Sequence, residues 1–214
     1  MLQTRRLNPV SDCPLTAALL RYFAPGEIGL TGGVAVELHL AQAGLPPLRE
    51  RIEDLDFVAR RVEGTVSGIA TEFLVSHYHR AGPGVSKALL QLVDPRTRLR
   101  IDIFPDLDGT LDGARPANVA GVELGVLSAS SILEHKLRTI AKSTAASPAD
   151  PKHWRDAVAL AALLGRTVPP PAVPFAQTVF RTDPEIGCPR CDRSRDEAFP
   201  LAPKREILAL LGYV

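Results

Sequence analysis

EIGLTGGVAVELHLAQAG, residues 27–44, decides the fold. Residues 27–31 read as a short strand that runs into the Gly32-Gly33 corner. Val34, Leu38 and Ala41 then recur at helical spacing until Gly44 stops the turn. The order is strand, glycine corner, helix. A charged, proline-bearing loop follows over residues 45–53, and DLDFVAR (54–60) alternates carboxylate and apolar side chains with the two-residue period of a strand. Leu55 and Phe57 are expected to face the core, with Asp54 and Asp56 together on the other side.

Outward from this unit, residues 15–23 read as a short helix, 64–72 as another, and 73–78 as a strand. KALLQLV (87–93) and LRIDIF (99–104) flank Asp94-Pro95-Arg96-Thr97, which suits a type I turn and predicts a hairpin with Asp102 between Ile101 and Ile103. Residues 106–118 read as a polar loop. Two helices come next. Ser128 or Ser131 can cap the first, Glu134 completing a capping box with Ser131; its buried stripe is Leu133, Leu137 and Ile140, and Lys136 lies off it. The second starts at Asp150-Pro151 and runs through Trp154, Val158 and Ala161 to Gly165. Residues 167–174 form a stiff proline linker, followed by Cys188-Pro-Arg-Cys191 and an amphipathic helix over 204–211. The expected fold class is α/β (α+β): a mixed sheet flanked by helices. It divides into a core at 1–119, a helical segment at 120–166 packed on it, and a tail at 167–214.

The chain has 214 residues, 45% hydrophobic and 5% aromatic, enough to bury roughly 70% of the unfolded surface. Fibrous and wholly disordered classes are excluded. Lys+Arg 25 against Asp+Glu 24 leaves a formal charge of +1, so no global field favours nucleic acid or membrane. Three cysteines without a disulfide-type spacing, and an N-terminus without an apolar run, predict a reducing, cytoplasmic setting. No apolar stretch approaches the ~20 residues that span a bilayer.

The chemistry lies in the combination of Gly32-Gly33, Asp54-x-Asp56 and Asp102. Three carboxylates on neighbouring strands, two of them two residues apart, can hold divalent cations between them. The glycines let a phosphate approach the backbone, and the helix after them directs its amides at the anion. A glycine pair alone is an ordinary tight turn, and DLD alone a solvated strand end. The two features together, with Asp102 and in this order, point to a metal-bound nucleoside triphosphate, with Asp102 as metal ligand and base for an acceptor hydroxyl.

LTGGVAVELHL, IEDLDFV and RLRIDIF resemble the glycine pair, paired aspartates and third aspartate of the DNA-polymerase-β-type nucleotidyltransferase superfamily. VLSASSILEHKLRTIA followed by DPKHWRDAVALAALL is similar to its AbiEii-type branch, the toxin nucleotidyltransferases of type IV toxin–antitoxin systems. The resemblance covers residues 28–164. It implies a nucleotidyltransferase fold and two Mg²⁺ ions, or Mn²⁺, held by Asp54, Asp56 and Asp102. It further implies ATP or another NTP as substrate, and transfer of NMP to a tRNA or RNA end, a protein or a small hydroxylated molecule. Gly32, Gly33, Lys136 and Lys152 map to phosphate contacts, and Asp156 to a structural or positioning role. An antitoxin protein is the implied partner. Many relatives carry an arginine four residues before the first aspartate. Here that place holds Glu50, and Arg51 beside it is the triphosphate candidate.

Several features have a blander reading. Lys152 and Asp156, at i and i+4, also describe an ordinary surface ion pair, and His77 and His79 read as a polar strand face before a metal pair. Cys188 and Cys191 are half of a zinc knuckle whose other ligands the sequence leaves open. Asp106, Asp108 and Asp112 lack the spacing of a calcium loop. The rival functional class is an inactive nucleotide-sensing or RNA-binding protein using Arg49, Arg51, Arg60 and Arg61 as a basic patch.

Overall fold

A computed structural model describes residues 17–80, 88–141 and 150–168. The proline linker beyond Val168, Cys13, the Cys188/Cys191 segment and the helix expected at 204–211 lie outside the described residues.

The helix expected at 15–23 is a single described turn, α1 (Ala17–Leu20), whose Leu19 is buried. β1 (Ile28–Thr31) leads without a loop into α2 (Gly32–Gln42). All four β1 residues are buried, and α2 buries Val34, Ala35, Val36, Glu37, Leu38 and Leu40. The helix is therefore enclosed on most sides, and Ala41, expected in its stripe, faces solvent. β2 (Asp54–Ala59) shows the predicted alternation: Leu55, Phe57 and Ala59 are fully buried on one face, and Asp54, Asp56 and Val58 are half-buried on the other. Burying a side chain such as Phe57 contributes about 1.5–3 kcal/mol, and a slip of one residue would put both carboxylates into the core.

α3 (Val66–Ile69) is one turn where a longer helix was expected. β3 (Leu74–His79), β4 (Leu89–Val93) and β5 (Arg100–Pro105) follow. β4 and β5 form the predicted antiparallel hairpin, closed by a wider turn than type I. The Arg98 N–H donates to Asp94 O at 2.8 Å, and Arg98 adopts φ +61°.

Residues 115–126, placed in the polar loop and the segment after it, are a second hairpin: β6 (Arg115–Val119) against β7 (Val122–Val126). Its two-residue turn, Ala120-Gly121, has φ +51° and +83°, the left-handed pair that a type I′ turn requires. The strand order is β3-β4-β5-β2-β1-β7-β6, mixed in direction: β2 runs parallel to β5, β1 parallel to β7, and β1 antiparallel to β2. The expected mixed sheet flanked by helices is present. A boundary at 119/120 falls at the turn of the second hairpin, whose β7 strand lies inside the sheet.

α4 (Ala129–Ala141) is capped by Ser128, whose Oγ accepts the Ser131 N–H at 3.1 Å. Ile132, Leu133 and Lys136 are its buried residues, while Leu137 and Ile140 are only half-buried. α5 (Pro151–Leu163) begins as expected, with Asp150 accepting the Lys152 N–H at 2.8 Å and proline in the first turn. Its buried stripe is Asp156, Ala157, Leu160 and Ala161, and Val158 is exposed. α4 and α5 pack on each other and on α2. No described helix is long and apolar enough to cross a membrane.

Candidate active site

A cleft of about 940 Å³ opens over the polar face of β2 and β5, a size suited to a small-molecule substrate. Asp54, Asp56, Asp102, Gly32, Gly33, Arg51, Lys136 and Lys152 all line it, so the residues singled out in the sequence meet in one place. The cause is register. In the parallel β2–β5 ladder Asp56 is the direct partner of Asp102, and Asp54 the partner of Arg100. Side chains two apart on one strand share a face, which puts Asp54, Asp56, Arg100 and Asp102 side by side.

Asp56 is the central carboxyl. Burial, then the neighbouring charges of Asp54 and Asp102, push its pKa up to about 6, against a smaller opposing pull from Lys136 and Lys152. Asp54 and Asp102 bracket the guanidinium of Arg100, which hydrogen-bonds Asp54 Oδ2 and lies 3.4 Å from Asp102 Oδ2 through its Nε. Among the described residues no three His, Cys, Asp or Glu side chains are placed so that together they could hold a metal ion as they stand.

The glycines do work that the sequence did not announce. Gly32 has φ +65°, and a Cβ there would stand 1.9 Å from Asp56 Oδ2. A Cβ on Gly33 would stand 3.0 Å from Arg49 Nε. Each glycine therefore makes room for a specific charged side chain, independently of any phosphate.

Lys136 and Asp156 are buried, so the blander reading of them as solvated surface groups does not hold. Asp156 is fully buried; it accepts two bonds from Arg49 Nη2 at 2.7 and 2.8 Å and pairs with Lys136 Nζ at 2.9 Å. Arg49 also donates through Nη1 to Glu37 Oε1 at 2.9 Å, and Glu37 Oε2 accepts the Leu48 N–H at 3.1 Å. Two acids and two bases thus neutralise one another and tie α2, α4, α5 and the loop before β2 together. The blander alternative, a Lys152–Asp156 surface pair, is not what forms: Lys152 is exposed on the cleft rim, and Asp156 is buried on Arg49 and Lys136. His153, another lining residue, has its pKa lowered to about 4 by burial and then by Lys136 and Lys152, so it is neutral at physiological pH.

Arg51, the triphosphate candidate, is 82% exposed and paired with Glu53. It is Arg49, on the other side of Glu50, that the fold builds in. Of the rival basic patch, Arg49 is committed to Glu37 and Asp156, Arg51 pairs with Glu53, and Arg60 with Asp112 and Asp106. Asp106 is occupied otherwise too, accepting Thr110 and Leu111 N–H groups at 2.8 and 3.2 Å. Sequence reasoning passed over Glu37, Arg100 and His153. Arg100 had a legible signal, since it stands two residues before Asp102 on the same strand face.

No protein-family model and no curated protein matches the chain. Among solved structures, an antigenic nucleotidyltransferase-like protein from Paracoccidioides brasiliensis is similar at 15% identity over 87% of this chain and 84% of its own, with a TM-score of 0.39. JHP933 from Helicobacter pylori is 16% identical over 68% of this chain and 64% of its own, TM-score 0.39. The lincosamide antibiotic adenylyltransferase LnuA, solved with lincomycin, is 16% identical over 64% of this chain and 86% of its own, TM-score 0.41.

Proposed function

We propose that the cleft is the active site of a metal-dependent nucleotidyltransferase, transferring NMP from an NTP to an acceptor hydroxyl. The observation that carries this reading is the pairing of Asp56 with Asp102 in parallel register, Asp54 on the same face and the β1–α2 glycine corner packed against Asp56.

The donor set fits a divalent cation. Hard carboxylate oxygens are what Mg²⁺ or Mn²⁺ takes, and the crowding that raises Asp56 is what a cation would relieve. Asp54, Asp56 and Asp102 would hold the metal. When bound, it supplies charge stabilisation for the attacking and leaving oxygens of an in-line displacement.

In this reading, Gly32 and Gly33 bring the first amides of α2 toward the phosphates, where backbone N–H groups favour an anion. Asp102, beside Asp56 on the carboxylate face, takes the proton of the acceptor hydroxyl. Lys136 neutralises negative charge at the cleft wall while Asp156 holds its ammonium in place, so Asp156 is a positioning residue. Lys152 and Arg51, on the rim, meet the outer phosphates. The acceptor, whether an RNA or tRNA end, a protein or a small hydroxylated molecule, is met by the cleft-lining segment of Asp106, Leu107, Asp108 and Thr110. A toxin of the AbiEii type, silenced by an antitoxin, is the biological form we assign to this activity.

The test is incubation with each α-labelled NTP, Mg²⁺ and fractionated cellular RNA, protein and metabolites. Label in one fraction, with matching pyrophosphate, supports the reading. Nucleotide binding without pyrophosphate from any fraction supports the sensing alternative instead.

A further inference from the structure

Arg100 engages two of the three carboxylates that the proposed cations would need. Its backbone is fixed opposite Asp54 by the β2–β5 ladder, and its side chain lies on the same strand face as Asp102. The guanidinium bonds Asp54 and ion-pairs with Asp102, the two carboxylates that flank Asp56. The other cationic side chains built into this wall are tied down: Lys136 is 6% exposed and Arg49 16%, both on Asp156, which is fully buried. Arg100 is different. Its side chain is 46% exposed and lines the open cleft, so it can leave its carboxylates without opening the core.

A carboxylate oxygen that accepts a guanidinium N–H has a lone pair committed, and a divalent cation seeking it must displace a charge already there. The displaced guanidinium would remain in the cleft on a flexible stem, and its planar fork matches phosphate oxygens. We propose that Arg100 is the resident counter-ion of the carboxylate face, and that it passes from Asp54 and Asp102 to the polyphosphate when a cation and a nucleotide enter together. This rests on the reading that the three aspartates take divalent cations. Its consequence is coupling: metal alone is opposed by Arg100, whereas polyphosphate in the presence of metal is assisted by it.

Calorimetric titration of the whole chain distinguishes these effects. In Arg100→Gln, Mg²⁺ alone should bind about tenfold more tightly than to wild type, while inorganic tripolyphosphate in saturating Mg²⁺ binds about tenfold more weakly. Arg100→Lys, which keeps the charge, should stay near wild type for Mg²⁺ alone. A merely structural arginine would weaken both ligands or neither. If Arg100→Gln binds Mg²⁺ no better than wild type, or if both ligands shift the same way, the counter-ion role is overturned and the metal reading survives. If neither protein binds Mg²⁺ with or without tripolyphosphate, the metal reading itself fails and takes this inference with it.

Discussion

A Cβ on Gly32 would fall 1.9 Å from Oδ2 of Asp56. The first residue of α2 and the central carboxylate of β2 therefore occupy adjoining space, and the strand pairing of Thr31 with Asp56 holds them there. Alanine at this position meets two penalties, the positive φ and the collision. Gly32→Ala should cost about 3 kcal/mol, combining left-handed strain with overpacking. Gly44, at φ +70° with nothing near its Cβ position, provides the control: Gly44→Ala should cost about 1 kcal/mol. Urea unfolding of both variants checks the difference.

Asp156 balances two buried cations. Its replacement by alanine leaves Arg49 with only Glu37 and leaves Lys136 without its partner, and should cost about 3–5 kcal/mol. Arg51→Ala, which breaks an exposed pair with Glu53, should change stability by less than about 0.5 kcal/mol. Thermal melts of the two variants compare these directly.

Asp56 ionises against burial and two neighbouring carboxylates. Its folded pKa of about 6 lies above the unfolded value of 3.8, so its ionised form weakens the fold at neutral pH. In EDTA at pH 7.5, Asp56→Asn should therefore melt higher than wild type, by on the order of 5 °C. Differential scanning calorimetry reads it.

His153 sets a pH dependence of opposite sign. Its folded pKa, about 4, lies below the ordinary 6.5, so between these values the unfolded chain binds the extra proton. The contribution of neutral His153 is complete above pH 6.5 and is lost as pH falls toward 4. Asp56 runs the other way in the overlapping window, so the His153 part is read as the difference between wild type and His153→Gln. The variant should lose less stability than wild type between pH 6.5 and 4.5 in urea titrations.

The parts of this molecule that were legible in the sequence are those governed by short periods. β2 with Leu55 and Phe57 inward, Asp54 beside Asp56, the corner at Gly32 and the Asp150-Pro151 helix start all follow from neighbours in the chain. The β6–β7 hairpin escaped because Pro116, Asn118 and Glu123 break the apolar alternation, although Ala120-Gly121 was a turn signal. The partners of Lys136 and Asp156 were not legible because their burial depends on each other and on Arg49, which lies over a hundred residues from Asp156 in the chain. Such long-range neutralisation leaves no local pattern. Arg100 was overlooked although its place two residues before Asp102 put it on the same face; its bond to Asp54 comes from the strand opposite.

The most direct measurement is Mg²⁺-dependent pyrophosphate release from NTP and acceptor, by wild type and by Asp56→Asn shown by melting to be folded. Release by wild type, falling roughly a thousandfold in the variant, is the predicted result. Equal release by the two proteins would contradict a transfer reaction centred on Asp54, Asp56 and Asp102.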